Sequence, residues 1–251
     1  MGMIPRVVHY CWFGRNPLPA SAVKCIESWR RYMPGYEIKE WNEDNFDVNS
    51  VPYISEAYSA RKYAFVSDYA RFWILYHYGG VYFDTDVELI KPIDDILERG
   101  AFMGIEDIYP ESYAYPLVNP GQGIAVEVGH EFYKRVLDYY AGVHFLLPDG
   151  TYDHETVVRR TTALLVEEGL EPRHELQQVA GIWIYPKEYF NPLDDLTGRL
   201  EKTENTRSIH WYARTWQNRS PLKQRLSRWS HRVFGFTLHK IKNFITGEKD
   251  Y

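Results

Sequence analysis

Residues 60–92 read ARKYAFVSDYARFWILYHYGGVYFDTDVELIKP, and the rest of the chain is organised around them. The first half is apolar or aromatic at most positions, the pattern of a buried helix, but Ser67, Asp68 and Arg71 interrupt it. Ser67 and Arg71 stand at i,i+4 and Asp68 and Arg71 at i,i+3, so all three can share one face. Gly79-Gly80 suits a helix C-terminus, where one residue must enter the left-handed region. Val81-Tyr82-Phe83 is then a short β-prone run. Asp84 and Asp86, two residues apart, leave its end on the same side. Two carboxylates fixed there repel unless a cation sits between them, and a divalent metal site is the simplest physical reading.

Upstream, residues 6–13 (RVVHYCWF) are strand-like and run into Gly14 and a proline-containing loop. In an open α/β sheet the carboxyl edge of the first strand faces the ligand crevice, which puts Trp12 there. Trp12 then has two readings, a stacking platform for a base or a core plug. Ala20–Tyr32 has Val23, Ile26 and Trp29 at helical spacing, Met33-Pro34-Gly35 ends that helix, and residues 36–41 alternate like a second strand. Strand, helix, strand opens a Rossmann-like unit, yet no GxGxxG phosphate loop is present, which argues against a dinucleotide enzyme.

Downstream, Lys91-Pro92 stops the strand, residues 93–99 form a short helix and residues 101–106 another strand. Residues 106–123 read as a loop rich in proline and tyrosine, either a ligand-gripping segment or plain surface. Residues 131–140 and 155–168 are helical, while Ile182–Tyr185 and residues 208–211 are short strands.

Composition bounds the class. At 251 residues and 45% hydrophobic, the chain can bury a sizeable core as one large domain or one domain with appendages. Aromatics reach 16%, which serves packing as readily as sugar or base stacking. Two cysteines, Cys11 and Cys25, imply no disulfide framework and fit a reducing compartment. The first residues lack the pattern of a secretory signal, and no apolar run approaches the length of a spanning helix. The expectation is a soluble cytoplasmic protein. Residues 219–251 hold eight Lys or Arg against Glu248 and Asp250, so a chain of formal net charge −5 has an acidic body and a basic tail. An acidic body does not suggest nucleic acid, and an anionic ligand there needs a metal to offset the carboxylates. In the tail, Leu222, Leu226, Trp229 and Val233 recur at helical spacing with Arg225, Arg228 and Arg232 on another face. That basic amphipathic pattern either docks on an anionic membrane surface, as a peripheral protein, or packs on the domain with a solvated basic face.

The combination IPRVVHYCWFG, SDYARFWILYHYGGVYFDTDVELIKPID, IYPKEYFNPL and SIHWYARTW closely resembles glycosyltransferase family 32, the DXD-containing sugar transferases. It is also similar to the catalytic domains of bacterial glucosylating toxins. The spaced combination covers residues 4–216 and is specific, whereas an isolated DXD is weak. The resemblance implies an α/β, GT-A type, Rossmann-like domain with a mixed central sheet over residues 1–218, followed by a helical tail. It implies a retaining hexosyltransferase that uses Mn²⁺ or Mg²⁺ and moves a hexose from a nucleotide sugar, UDP-linked by preference, to a glycan or lipid-linked acceptor in surface polysaccharide synthesis. Carried over by residue, Trp12 matches the tryptophan that stacks on the base, Ser67, Asp68 and Arg71 the trio that grips the donor sugar, and Tyr82 the aromatic beside the nucleotide. Asp84 matches the ribose- and sugar-contacting aspartate and Asp86 the metal-bound one, with Asp84 and His210 as further ligands and Asp68, Arg71 and Asp84 as the catalytic set. Trp216 falls where a late tryptophan covers the leaving diphosphate, although Thr215 stands where Ser is usual and Arg214 has no counterpart.

Two other classes compete. Phe83-Asp84-Thr85-Asp86-Val87 also resembles the nucleophile loop of haloacid-dehalogenase-type phosphatases, which place it on the first strand. A non-catalytic module that binds nucleotide or glycan is the other, and it does not predict intact carboxylates. Release of phosphate from phosphomonoesters marks the first, and a lack of donor hydrolysis the second.

Overall fold

The computed structural model describes residues 2–106, 114–195 and 197–213, so Trp216, the basic tail and part of the 106–123 loop lie outside the described residues. β1 (Val7–Cys11) is followed by α1 (Ala20–Tyr32), β2 (Glu37–Trp41), α2 (Pro52–Ser59), α3 (Tyr63–Tyr78), β3 (Gly80–Tyr82), β4 (Val87–Leu89), α4 (Asp94–Arg99) and β5 (Phe102–Ile105). The second half adds β6 (Val118–Asn119), β7 (Ile124–Val126), α5 (Glu131–Ala141), α6 (Val157–Glu167), β8 (Gln177–Val179), β9 (Ile182–Tyr185), α7 (Lys187–Phe190) and β10 (Ser208–His210). The main sheet runs β2-β1-β3-β7-β5-β9-β8, with β6 paired to β5, and β10 pairs with β4 in a separate ribbon. β1 is parallel to β2 and β3, whereas β7 is antiparallel to β3 and β5. The expected α/β architecture with a mixed central sheet is therefore present.

Strand alternation assigns each face. Val8, Tyr10, Val81 and Phe83 pack with Cys25, Ile26 and Trp29 of α1. Cys11 and Tyr82 point the other way, into a cluster with Val66, Ala70 and Ile74 of α3. Side chains two apart share a face, so the face that carries Tyr82 at the end of β3 also carries Asp84, towards α3. Helix α3 is buried along most of its length, Asp68 and Arg71 included, which explains why its sequence is mostly apolar or aromatic.

Helix α3 begins at Tyr63 rather than near residue 60. Arg61 adopts φ 57°, a left-handed conformation that separates α2 from α3. The Gly79-Gly80 stop is where the sequence puts it, for two reasons. Gly79 closes α3 at φ 61° with its N–H donating to Leu75 O at 2.9 Å. A Cβ on Gly80 would lie 2.7 Å from Val7 O and 3.1 Å from His9 Nε2, so the chain can pass β1 only without a side chain.

His9 locks this crossing. Trp41 Nε1 donates to His9 Nδ1 at 3.0 Å, which leaves Nε2 protonated to donate to Gly79 O at 3.0 Å. Burial holds the His9 pKa down at about 4, against the opposing pull of the Gly79 carbonyl. A lowered folded pKa means the neutral ring is the native form, so its contribution is complete above the unfolded value and is lost as pH falls towards 4. The expected loss is about 3 kcal/mol between pH 6.5 and 4. Urea unfolding at pH 7 and pH 4.5 measures it: His9→Gln should lose this part of the acid sensitivity, and an unchanged pH dependence in the variant would contradict it.

Candidate active site

Arg71 is the hub of the site. The residue is 3% exposed, and its Nη2 donates to Asp68 Oδ1 at 2.9 Å and lies 3.3 Å from Asp84 Oδ1. Nε donates to the carbonyl of Ser67 at 3.1 Å, and the charge sits over the Tyr82 ring with its central carbon 5.1 Å from the centroid. Helical spacing thus puts Ser67, Asp68 and Arg71 on one face, but Ser67 engages Arg71 through its main chain. Its hydroxyl donates instead to Tyr63 O at 3.2 Å, the usual back-bond of a helical serine. Asp84 accepts from the Tyr82 hydroxyl at 2.9 Å. Burial raises the Asp68 pKa to about 7 despite Arg71, and raises Asp84 in the same way. One buried cation shared by two carboxylates leaves the group poor in positive charge.

Asp86 is organised from the other side, by the end of β10. The β4–β10 ladder pairs His210 with Val87, and Trp211 N–H extends it by donating to Asp86 O at 2.9 Å. His210 Nε2 lies 3.3 Å from Asp86 Oδ1, while Ala213 N–H donates to Asp86 Oδ2 at 2.8 Å. Burial alone would raise the Asp86 pKa, but His210 and the Ala213 N–H outweigh it and hold the carboxyl below its usual range. His210 is raised in turn, the Asp86 carboxylate overcoming the effect of burial.

Asp84, Asp86 and His210 each offer a ligand atom, and these atoms all lie within 4.8 Å of one another. Two carboxylates and an imidazole are a donor set that suits a divalent cation, so the residues present fit the expected metal.

The 106–123 segment contributes more than a surface loop. Gly121 O accepts from Asp84 N–H at 3.0 Å, and Gly121 N–H donates to Asn119 Oδ1 at 2.7 Å. Asn119 Nδ2 donates in turn to Glu106 Oε2 at 2.8 Å. A Cβ on Gly121 would fall 2.1 Å from Asp84 Oδ2 and 3.0 Å from Arg71 Nη1. The only sequence signal was the pair Gly121 and Gly123, which marks a close backbone approach without saying to what. Gly121→Ala is expected to displace the Asp84 carboxylate and lower turnover about a hundredfold, the penalty for an ångström of misplacement. Turnover at the wild-type rate in a folded Gly121→Ala protein would detach this segment from the site.

Trp12 lies just past β1, beside the end of β3: its N–H donates to Trp41 O at 2.9 Å and its indole to Asn16 O at 2.6 Å. His9 is paired with Tyr82, so Trp12 and Asp84 leave neighbouring parallel strands at the same edge. Trp216 lies outside the described residues. The aspartate pair follows β3 and not β1, contrary to the placement a haloacid-dehalogenase-type loop requires.

Paired aspartates at a sheet edge, a buried Asp–Arg pair and a late histidine thus lie together, and the proteins this chain is similar to carry glycosyltransferase names. Residues 19–103, which include Asp84-x-Asp86, match the family model described as a glycosyltransferase sugar-binding region containing DXD motif. Inositol phosphoceramide mannosyltransferase 1 of Schizosaccharomyces pombe is 34% identical over 114 residues, 41% of this chain and 34% of that protein. A glycosyltransferase of Acanthamoeba polyphaga mimivirus is 34% identical over 106 residues, 40% of this chain and 42% of that protein. The match thus spans between about a third and two fifths of these relatives. Among solved structures, a glycosyltransferase involved in glycosylation of the major capsid of PBCV-1 superposes with a TM-score of 0.47 at 15% identity, covering 82% of this chain and 93% of that one. Among the described residues no helix is long and apolar enough to cross a membrane.

Proposed function

We propose that this chain is a metal-dependent, retaining glycosyltransferase that moves a hexose from a nucleoside-diphosphate sugar to a glycan or lipid-linked acceptor. The observation that carries the reading is the junction of two groups at one sheet edge: the Asp84, Asp86 and His210 donor set, and the Asp68–Arg71 pair bonded to the same Asp84. Breaking a glycosyl–phosphate bond requires negative charge to be stabilised on the departing diphosphate and positive charge to be tolerated at the anomeric carbon. Asp86, Asp84 and His210 would hold a Mn²⁺ or Mg²⁺, which would supply the first as a Lewis acid. The imidazole in the set favours Mn²⁺ over Mg²⁺, which prefers oxygen alone.

The chain's own residues supply the rest. Asp68 and Arg71 hydrogen-bond the hydroxyls of the donor sugar, and their mutual bond fixes them before the donor arrives. The Asp68 and Asp84 carboxylates stabilise developing positive charge in a site of low dielectric. Tyr82 holds Asp84 through its hydroxyl, and Trp12 offers an indole face to the base. The reading places no protein nucleophile at the anomeric carbon, so retention follows from attack on the same face as the leaving group. Cys11 and Cys25 are free and buried, which supports a reducing compartment, and the proposed setting is the cytoplasmic face of a membrane where surface polysaccharide is built. The donor base is proposed as uracil. The names of the fungal relatives, mannosyltransferases, bring guanosine-linked mannose into the same test.

A thermal-shift panel decides between these outcomes. A ligand that binds only the folded state raises the melting temperature by mass action. UDP or GDP is expected to raise it only with Mn²⁺ present, with slow metal-dependent hydrolysis of the matching sugar nucleotide. No shift with either nucleotide at millimolar concentration would sink the reading, and a shift without hydrolysis would leave a binding module.

A further inference from the structure

The geometry points to Tyr212, anchored by Asn191, as the residue that positions His210 for metal binding; the inference rests on the metal-dependent reading of the site. A histidine that ligates a metal ordinarily donates its other ring N–H to a carboxylate or carbonyl, which fixes the orientation of the ring. His210 lacks that support: Nε2 faces Asp86, and the buried Nδ1 has no hydrogen-bond partner among the described residues. What holds the ring is Tyr212, stacked on it with centroids 4.2 Å apart and planes 28° apart.

Tyr212 is itself held at both ends. Its backbone is left-handed, at φ 50°, a conformation that a bulky side chain rarely adopts. This turn of the chain brings the next N–H, that of Ala213, onto Asp86 Oδ2 at 2.8 Å. The hydroxyl accepts from Asn191 Nδ2 at 2.5 Å. Asn191 is fully buried, and the segment that carries it is tied to β10. Arg207 N–H donates to Tyr189 O at 2.7 Å, and the Ser208 hydroxyl donates to Phe190 O at 3.2 Å. The IYPKEYFNPL segment, to which the sugar chemistry assigns no task, thus becomes the brace of the metal site. A strained backbone at such a position is kept because the surroundings over-determine it, and here they do so on two sides.

The test is Mn²⁺ titration of the full chain followed by electron paramagnetic resonance, with Mn²⁺ alone and with UDP or GDP added. Tyr212→Gly relieves the left-handed backbone but removes the ring. It should weaken Mn²⁺ binding by roughly tenfold or more and reduce the nitrogen hyperfine modulation that reports His210 on the metal. Tyr212→Phe keeps the stack and loses only the anchor, so it should fall between the two, and Asn191→Ala should match it. Adding Asn191→Ala to Tyr212→Gly should change nothing further, as expected of residues acting in series. Wild-type affinity and nitrogen modulation in a folded Tyr212→Gly protein would overturn the clamp alone, provided Asp86→Asn still abolishes binding. Equal Mn²⁺ binding by wild type and Asp86→Asn, or none by wild type, would overturn the metal reading and the clamp with it.

Discussion

Asp86→Asn is expected to reduce metal-dependent donor hydrolysis by at least about a hundredfold while the protein stays folded. Asparagine has nearly the same shape, and its amide oxygen can still accept from Ala213 N–H, the contact that now occupies Asp86 Oδ2. What disappears is the negative charge facing His210, and with it one of two anionic donors in the group. Stability should change by no more than about 1 kcal/mol, because loss of the attraction to His210 is offset by relief of repulsion from Asp84. Metal titration and thermal melting of the same preparation separate the two effects. Full hydrolysis by the variant would remove Asp86 from the site.

Arg71→Met is expected to produce the largest loss of stability, about 3–5 kcal/mol, the usual cost of stranding buried charge. For a domain of this size that lowers the melting temperature by roughly 10 °C. Methionine fills the space and removes the one cation shared by Asp68 and Asp84. Without it both carboxyls titrate still higher above their unfolded values, and the sign of the pH effect follows. A carboxyl with a raised folded pKa favours the native state when protonated, so the penalty is greatest at high pH and shrinks as pH falls from 8 towards 5. Arg71→Lys keeps the charge but not the fork that reaches two carboxylates and the Ser67 carbonyl, and should recover part of the loss. Denaturant unfolding of the three proteins at pH 8 and pH 5 measures this. A penalty independent of pH would show that packing, not charge, accounts for the loss.

How much of this was legible in the sequence varies with how local the cause is. The i,i+3 and i,i+4 spacings placed Asp68 and Arg71 on one face, and the Asp84–Asp86 period placed both carboxylates at a strand end. Helices α2 and α7 and strands β6, β7 and β8 were missed. Each is short, and β6 has two residues that are strand only because β5 lies beside them. The back-bond of the Ser67 hydroxyl to Tyr63 O, within its own helix, was not legible from the spacing. Cys11 and Cys25 were legible as unpaired cysteines, whereas their burial was not.

By itself, then, the sequence determined what depends on spacing along one element: the α/β order, the glycine stop after α3, the paired aspartates and the ion pair one helical turn long. Tertiary structure alone decided what depends on contacts between distant segments. It brought His210 and Ala213 to Asp86 across the β4–β10 ladder, Gly121 against Asp84, and Asn191 under Tyr212. The physical reason is that local periodicity is written in neighbouring residues, whereas the meeting of segments 21 to 127 residues apart is set by sheet register and packing.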